Sequence, residues 1–387
     1  MIQAEIIFIT ALSLLAYACL GYPIVVFVAS ILRNRPVRAA DITPTVSVII
    51  AAHNEQADIA AKIENTLALD YPTEKLEIIV ASDCSTDRTD EIVRAYSPRG
   101  VVLHRQNERC GKTLAQNRSV EVSSGDILIF ADATTMFETN VIRKIVRRFA
   151  DPEVGCVGGQ LIYVDRSQTS TGRGCRSYWS YEKFIKLCES RLGSLIGVSG
   201  CLYAVRRCSY TALAHDMSSD FVIASEIYLK GLRTVYEPEA ICAEVTNQRT
   251  RDEFSMRVRI IEQTMSAMSR YREVLSLRKH GMFAFQMISH KVLRYAVPVL
   301  LLTAFLSNLF LIDESLFYRA TFALQLAFYV SALAGGVIER FRGRLGLLGL
   351  PFYFVVANVA IIAAFVKFMR GEAHVVWEPL RESNGWK

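Results

Sequence analysis

Six histidines and nine cysteines are scattered through 387 residues, with no Cys-x-x-Cys pair and no histidine cluster among them. That leaves no ground for a zinc-ribbon or disulfide-framework fold, and reduced thiols in a cytoplasmic domain are the expectation. Internal repeats and low-complexity segments are missing too, so a solenoid or a long disordered tract is not expected. Positive charge is lacking ahead of the first apolar run. The N-terminal flank carries Glu5, and Arg33, Arg35 and Arg38 come only after the run. A signal peptide has the reverse order, so the run reads as an uncleaved anchor. A net charge of +6 suits the surface of an anionic leaflet and gives no reason to expect a nucleic-acid partner.

What the chain holds in excess is apolar residues, 51% of the whole. Residues 5–32, with Glu5 at their edge, form one long apolar stretch. Three more follow at about 292–312, 316–338 and 345–366. Each reaches the roughly 20 residues that cross a bilayer. The basic residues after the first stretch place 33–40, and the region that follows, in the cytoplasm. Four full spans would put the tail outside, yet Lys367, Arg370 and Arg381 favour the cytoplasm. One segment is therefore expected to be re-entrant or interfacial.

Between these stretches the pattern changes. Short β-branched runs alternate with helical spacings such as Ile59/Ile63/Leu67 and Ile142/Ile145/Val146/Phe149, which predicts a parallel α/β sheet. Several runs end at acids. Val46-Ser47-Val48-Ile49-Ile50-Ala51-Ala52 leads to His53-Asn54-Glu55. Leu76-Glu77-Ile78-Ile79-Val80 leads to Asp83, and Ile127-Leu128-Ile129-Phe130 to Asp132. Asp220 follows Ser218-Ser219. Ligands of such sheets bind at the carboxyl ends of the strands. Acids there suit a ribose, a divalent metal and a proton to be removed. Asp87 is the expected cap of the helix after it. Thr250 and Glu253 have capping-box spacing. The helix they would start pairs an apolar stripe with arginines and is expected either on the bilayer surface or packed on the globular domain.

With these runs in order, and with Gly111-Lys112, Gly231, Glu237-Pro238-Glu239-Ala240 and Arg257-Val258-Arg259 beyond them, the chain resembles the family 2 inverting glycosyltransferases. The nearer likeness is to the membrane-embedded branch with hyaluronan, chitin and cellulose synthases and related exopolysaccharide enzymes. It covers residues 44 to about 270. It implies a GT-A fold over 41–249, after an anchor and linker (1–40) and before interfacial helices (250–290) and a C-terminal membrane region with a tail (291–387).

The resemblance also implies roles. Ala51, His53, Glu55 and Asp83 would hold the nucleoside of a nucleotide-sugar, expected to be UDP-linked. Lys112, Asp132 and Arg259 would meet its diphosphate, with Mg²⁺ or Mn²⁺ on Asp132. Asp220 would be the general base, with Asp216 as its rival. Acceptor territory would include Tyr178-Trp179-Ser180-Tyr181-Glu182-Lys183, Glu189-Ser190 and the 197–204 loop. The tail element Trp377-Glu378-Pro379-Leu380-Arg381 loosely matches one in the synthases. Departures are plain. Thr134 stands for the second aspartate of Asp-x-Asp. Ser219 removes a like charge beside Asp220. Met256 and Ile260 replace the glutamine and tryptophan of Gln-x-x-Arg-Trp.

The expected activity is therefore sugar transfer at the plasma (inner) membrane, with the catalytic domain cytoplasmic. The acceptor is a growing polysaccharide or glycan, or, as the alternative, a polyprenyl phosphate-linked or ceramide-like lipid. The departures also keep a non-catalytic nucleotide-sugar-binding subunit in view. Few spans and the missing tryptophan predict short additions, or export only with a homo-oligomer or partner.

Overall fold

The apolar runs become the centre of an eight-stranded sheet in the computed structural model, which describes residues 2–164, 170–245, 250–341 and 345–372, with backbone alone for 170–180. The strands are β1 (Val46–Ala52), β2 (Leu76–Ser82), β3 (Val101–Arg105), β4 (Ile127–Asp132), β5 (Met136–Phe137), β6 (Val154–Val164), β7 (Leu202–Arg206) and β8 (Arg233–Val245). Their order is β3-β2-β1-β4-β7-β6-β8-β5.

The sheet is mixed rather than parallel throughout, which corrects the expectation above. β1 to β4 pair in parallel, β7 runs antiparallel to both β4 and β6, and β6 and β8 are parallel again. The difference has a local cause. The chain leaves β6, passes through the long helix Ser170–Leu192 and re-enters beside β4 in the opposite sense. No βαβ crossover links β4 to its neighbour on that side, so nothing imposes parallel pairing.

β1 and β4 are sealed on both faces, as their unbroken apolar runs require. Val46, Val48, Ile50, Ile127 and Ile129 pack one way, onto Ile59, Ile63 and Ile142. Ile49, Leu128 and Phe130 pack the other way, onto Ala115, Tyr203 and Phe221. The rings of Phe130 and Tyr203 stack with centroids 4.7 Å apart.

Among the described residues four helices are long and apolar enough to cross a membrane: Ile2–Leu32, Leu277–Leu309, Leu316–Arg340 and Gly346–Met369. None is shortened as a re-entrant segment would be, and the second begins well before the apolar run near 292. Large apolar side chains such as Leu316, Leu324 and Leu333 are strongly exposed, as on a lipid-facing surface. The amphipathic helix Thr250–Arg270 packs on the last span, with Val258 buried against Ala360 and Ala364. The Thr250 hydroxyl donates to Glu339, and Glu253 accepts from Arg257 at 2.9 Å. The tail motif 377–381, the side chains of Tyr178, Trp179 and Ser180, and residues 342–344 lie outside the described residues.

Lys62 was not foreseen. It is fully buried on the Ile59–Leu67 helix, its Nζ 3.3 Å from the centre of the Phe137 ring. Burial pulls its pKa down to about 7, against the fields of Cys242, Asp132 and Cys201. Below about pH 7 the amine is charged in both folded and unfolded chains, and the burial cost stays constant. From there up to the ordinary lysine range the unfolded chain holds the extra proton, so stability climbs as pH rises. Lys62→Met is expected to raise the melting temperature at pH 7 by a few degrees and to flatten that climb between pH 7 and 10. An unchanged pH profile in the variant would show that another group causes the climb.

Candidate active site

The loops after β1 and β2 are laced together. Asn54, in the left-handed region at φ 53°, accepts from the Thr86 amide through Oδ1 at 2.8 Å. The Glu55 amide donates to Thr89 Oγ1 at 2.8 Å, and the Gln56 amide to Asp87 Oδ2 at 3.1 Å. Asp87 Oδ1 also accepts the Thr89 amide at 2.9 Å, at the first residue of the helix Thr89–Ala95, although the N-cap position itself is Arg88 and not the expected Asp87. These bonds fix one wall of a cavity of about 1140 Å³ at the carboxyl ends of the strands. Small-molecule sites commonly hold about 300–1,000 Å³, so this one has room for more than a single nucleotide-sugar.

Five of the eight expected site residues line this cavity: Glu55, Lys112, Asp132, Asp220 and Arg259. The other three, Ala51, His53 and Asp83, are buried behind its wall. The reason is visible in the bonds. Asp83 Oδ1 accepts the Cys110 amide at 2.8 Å and Oδ2 the Gly111 amide at 2.9 Å. His53 Nδ1 lies 2.7 Å from the Asp83 carbonyl oxygen, to which it donates. Ala51 stands opposite Asp132 in the β1–β4 register. In this structure these three are buried and are not among the residues that line the cavity.

Gly111 has φ +88°, which favours glycine, and it launches the helix Lys112–Val122 so that Lys112 turns inward. Lys112 Nζ donates to Asp132 and, at 3.2 Å, to the Gly200 carbonyl. Burial works against its charge, but the Asp132 carboxylate outweighs it and holds the pKa above the usual lysine range. Arg259 faces the same carboxylate. Burial lowers its pKa while Asp132 opposes the shift.

Asp220 opens the helix Ser219–Leu229 and accepts from the Ser218 hydroxyl. A Cβ on Gly200 would stand 3.3 Å from Asp220 Oδ2, so a side chain there would crowd the carboxylate. Ser219 is buried and donates to Gln116 at 3.2 Å. The rival base, Asp216, is ion-paired to Arg270 at 3.0 Å and is not part of the cavity wall. Met256 and Ile260 line the cavity with Arg259.

A metal would have Asp132 as its carboxylate and Thr134, on the same wall, as a hydroxyl neighbour. Among the described residues no group of three histidine, cysteine or acidic side chains could hold an ion. Mg²⁺ is commonly held by one or two carboxylates together with substrate phosphates and waters. The residues present fit that pattern, provided Lys112 yields Asp132 as diphosphate and ion enter.

The sequence reading missed Lys186, which is near Asp220 and donates to Ser199 Oγ at 3.0 Å. It also missed Cys201 and Cys242, whose sulfurs lie 3.5 Å apart although 41 positions separate them. Lys62 did leave a signal, since Ile59, Lys62, Ile63 and Thr66 fall on one helix face.

This mixed sheet with its surrounding helices has a fold of the GT-A type. Residues 47–212 match the model of Glycosyl transferase family 2, and the chain carries a domain of that family. An N-acetylglucosaminyltransferase of Bradyrhizobium diazoefficiens is 28% identical over 225 residues, 54% of this chain and 46% of that protein. A poly-β-1,6-N-acetyl-D-glucosamine synthase of Staphylococcus aureus is 26% identical over 217 residues, 54% of this chain and 52% of that protein. The chain thus spans about half the length of the curated relatives it matches. A mannosyltransferase of Pyrobaculum calidifontis, solved with GDP-Man and Mn²⁺, shares the fold with a TM-score of 0.70 at 23% identity. That match covers 95% of this chain and 99% of the other.

Proposed function

We propose that this family 2 glycosyltransferase moves a sugar from a nucleotide-sugar, with UDP the expected nucleotide, to a glycan acceptor, inverting the anomeric carbon. The observation that carries the reading is the pairing of Lys112 with Asp132, with Lys112 also donating to the Gly200 carbonyl and Asp220 close beside Gly200. Lys112 and Arg259 meet the diphosphate, where a guanidinium fork suits phosphate oxygens. Asp220 takes the proton of the acceptor hydroxyl as its oxygen attacks. Asp83 and His53 keep the nucleoside-side loops in place. Mg²⁺ or Mn²⁺ on Asp132 supplies neutralisation of charge as the diphosphate leaves.

The spans and the basic residues after the first of them support a plasma-membrane protein whose domain faces the cytoplasm. Ile260 offers no ring for an acceptor sugar, which supports short additions, or polymer export only in an oligomer or with a partner.

The test is a screen of nucleotide-sugars on protein purified in nanodiscs, following release of the nucleoside diphosphate. One donor is expected to turn over, with chelation by EDTA lowering the rate at least about tenfold and Mn²⁺ restoring it. Turnover indifferent to EDTA removes the metal from the proposal. No turnover with any donor removes the transferase reading.

A further inference from the structure

The helix that Asp220 opens is gripped at its far end. Ser219–Leu229 carries the base in its first turn and Tyr228 in its last, about 12 Å further along at 1.5 Å per residue. There the Tyr228 ring stacks on Phe283, with centroids 3.9 Å apart and an interplanar angle of 6°, and meets the His280 ring edge-on at 5.6 Å. The Tyr228 hydroxyl donates to the His280 carbonyl at 3.2 Å. Two residues earlier, Glu226 accepts from Tyr271 at 2.5 Å, just past the helix Thr250–Arg270 that carries Arg259.

These contacts fall on a break in the apolar helix Leu277–Leu309. Gly281 has φ 45° and ψ −113°, a conformation that favours glycine. It separates a short first turn, whose Lys279 and His280 amides both donate to the Ser276 carbonyl, from the span that follows. Tyr228 holds both sides of the bend, the His280 carbonyl before it and the Phe283 ring after it. At the other end of its helix the contacts run into the site. The Asp220 carbonyl accepts the Val198 amide at 2.9 Å, so the same first turn that presents the carboxylate also ties down the loop leading to Gly200. Val222, Ile223 and Ile227 are fully buried along the helix. Successive turns are tied by backbone hydrogen bonds, so a displacement at Tyr228 is passed on to Asp220.

We propose that the bend at Gly281 places the general base, with Tyr228 as the positioning residue. Tyr228 does not line the cavity, and it acts through the helix Ser219–Leu229. The inference rests on the transferase reading, in which Asp220 takes the acceptor proton. It adds that a membrane span, and not the sheet alone, holds the carboxylate and the Gly200 loop where transfer needs them. Placement matters steeply, since a misplacement of about 1 Å at a reacting group can cost about 10²-fold in rate.

The test uses full-length protein in nanodiscs. Tyr228→Leu keeps an apolar side chain and removes both the stack and the hydroxyl. It is expected to lower kcat by about 10- to 100-fold while the donor KM stays within about twofold, because the Lys112–Asp132 pair lies outside this helix. Tyr228→Phe keeps the ring and should recover most of the rate. Phe283→Leu removes the stack from the other side and should cost as much as Tyr228→Leu, with the double variant losing little more than either. Hydrogen exchange at the Val198 amide needs no turnover. It is expected to be about tenfold faster in both leucine variants and near the parent's in Tyr228→Phe. Phe305→Ala removes the ring stacked on Phe322 at 5.3 Å, on the same span but away from the bend, and controls for a general loss of packing. Unchanged kcat and exchange in Tyr228→Leu, or equal losses in Phe305→Ala, overturn the proposal. A parent that turns over no donor defeats the transferase reading, and Val198 exchange then still decides whether the bend holds this helix.

Discussion

Asp220→Asn is expected to lower sugar transfer by about 10²–10⁴-fold, the usual cost of losing a general base. Nucleoside diphosphate affinity should stay near that of the parent, because Asp220 is proposed to meet the acceptor, while Lys112 and Asp132, paired with each other, are proposed to meet the diphosphate. The substitution is nearly isosteric, and the Ser218 hydroxyl can still donate to the amide oxygen, so the fold should persist. Asp216→Asn serves as the control. It breaks an ion pair with a half-exposed arginine, a loss of about 0–1 kcal/mol, and should leave turnover within a few-fold. Single-turnover rates with saturating donor measure both. A near-normal rate in the Asp220 variant, or a collapse in the Asp216 variant, would reverse the assignment of the base.

Lys112→Met should lower kcat/KM by about 10²–10³-fold, the range for removing one preorganised donor from a site of developing charge. It removes the cation bonded to Asp132, a half-buried carboxylate whose field also reaches Arg259 and Lys62. Asp132→Asn alone should weaken both binding of the nucleoside diphosphate and its dependence on Mn²⁺. The double variant should lose far less than the sum of the two, since the residues act as one unit. Additive losses would mean that Lys112 and Asp132 work separately and that their pairing has no part in catalysis.

Much of this was legible along the chain, for reasons particular to each stretch. β1, β2 and β4 are buried on both faces, so their apolar runs are continuous and easy to see. β6 escaped because Gly155, Gly158 and Gly159 interrupt its pattern. They are needed where Ile227, Val198 and Leu202 press against the strand. The reversal at β7 depends on where a 23-residue helix delivers the chain, which no local pattern encodes. In the site, Asp132 was visible because an acid is conspicuous after an apolar run, and Asp220 through the resemblance, with Gly231 and Glu237-Pro238-Glu239-Ala240 following it. Asp83 was conspicuous after its own run, and yet its carboxylate serves two backbone amides 27 and 28 positions away. Tyr228 and His280 come together only through tertiary packing, 52 positions apart in the chain.

Gly200 has a consequence for the geometry of the reaction. Its carbonyl accepts from the Lys112 ammonium at 3.2 Å, and a Cβ built on it would stand 3.3 Å from Asp220 Oδ2. In the proposed displacement those two groups must stand on opposite sides of one carbon. A single residue of backbone spans them, and backbone does not stretch. Under that proposal the backbone at Gly200 acts as a ruler, set before either substrate arrives, and the sugar ring would have to fit the length it marks. Selectivity among donors would then begin with the thickness of the ring between Lys112 and Asp220, ahead of any reading of individual hydroxyls.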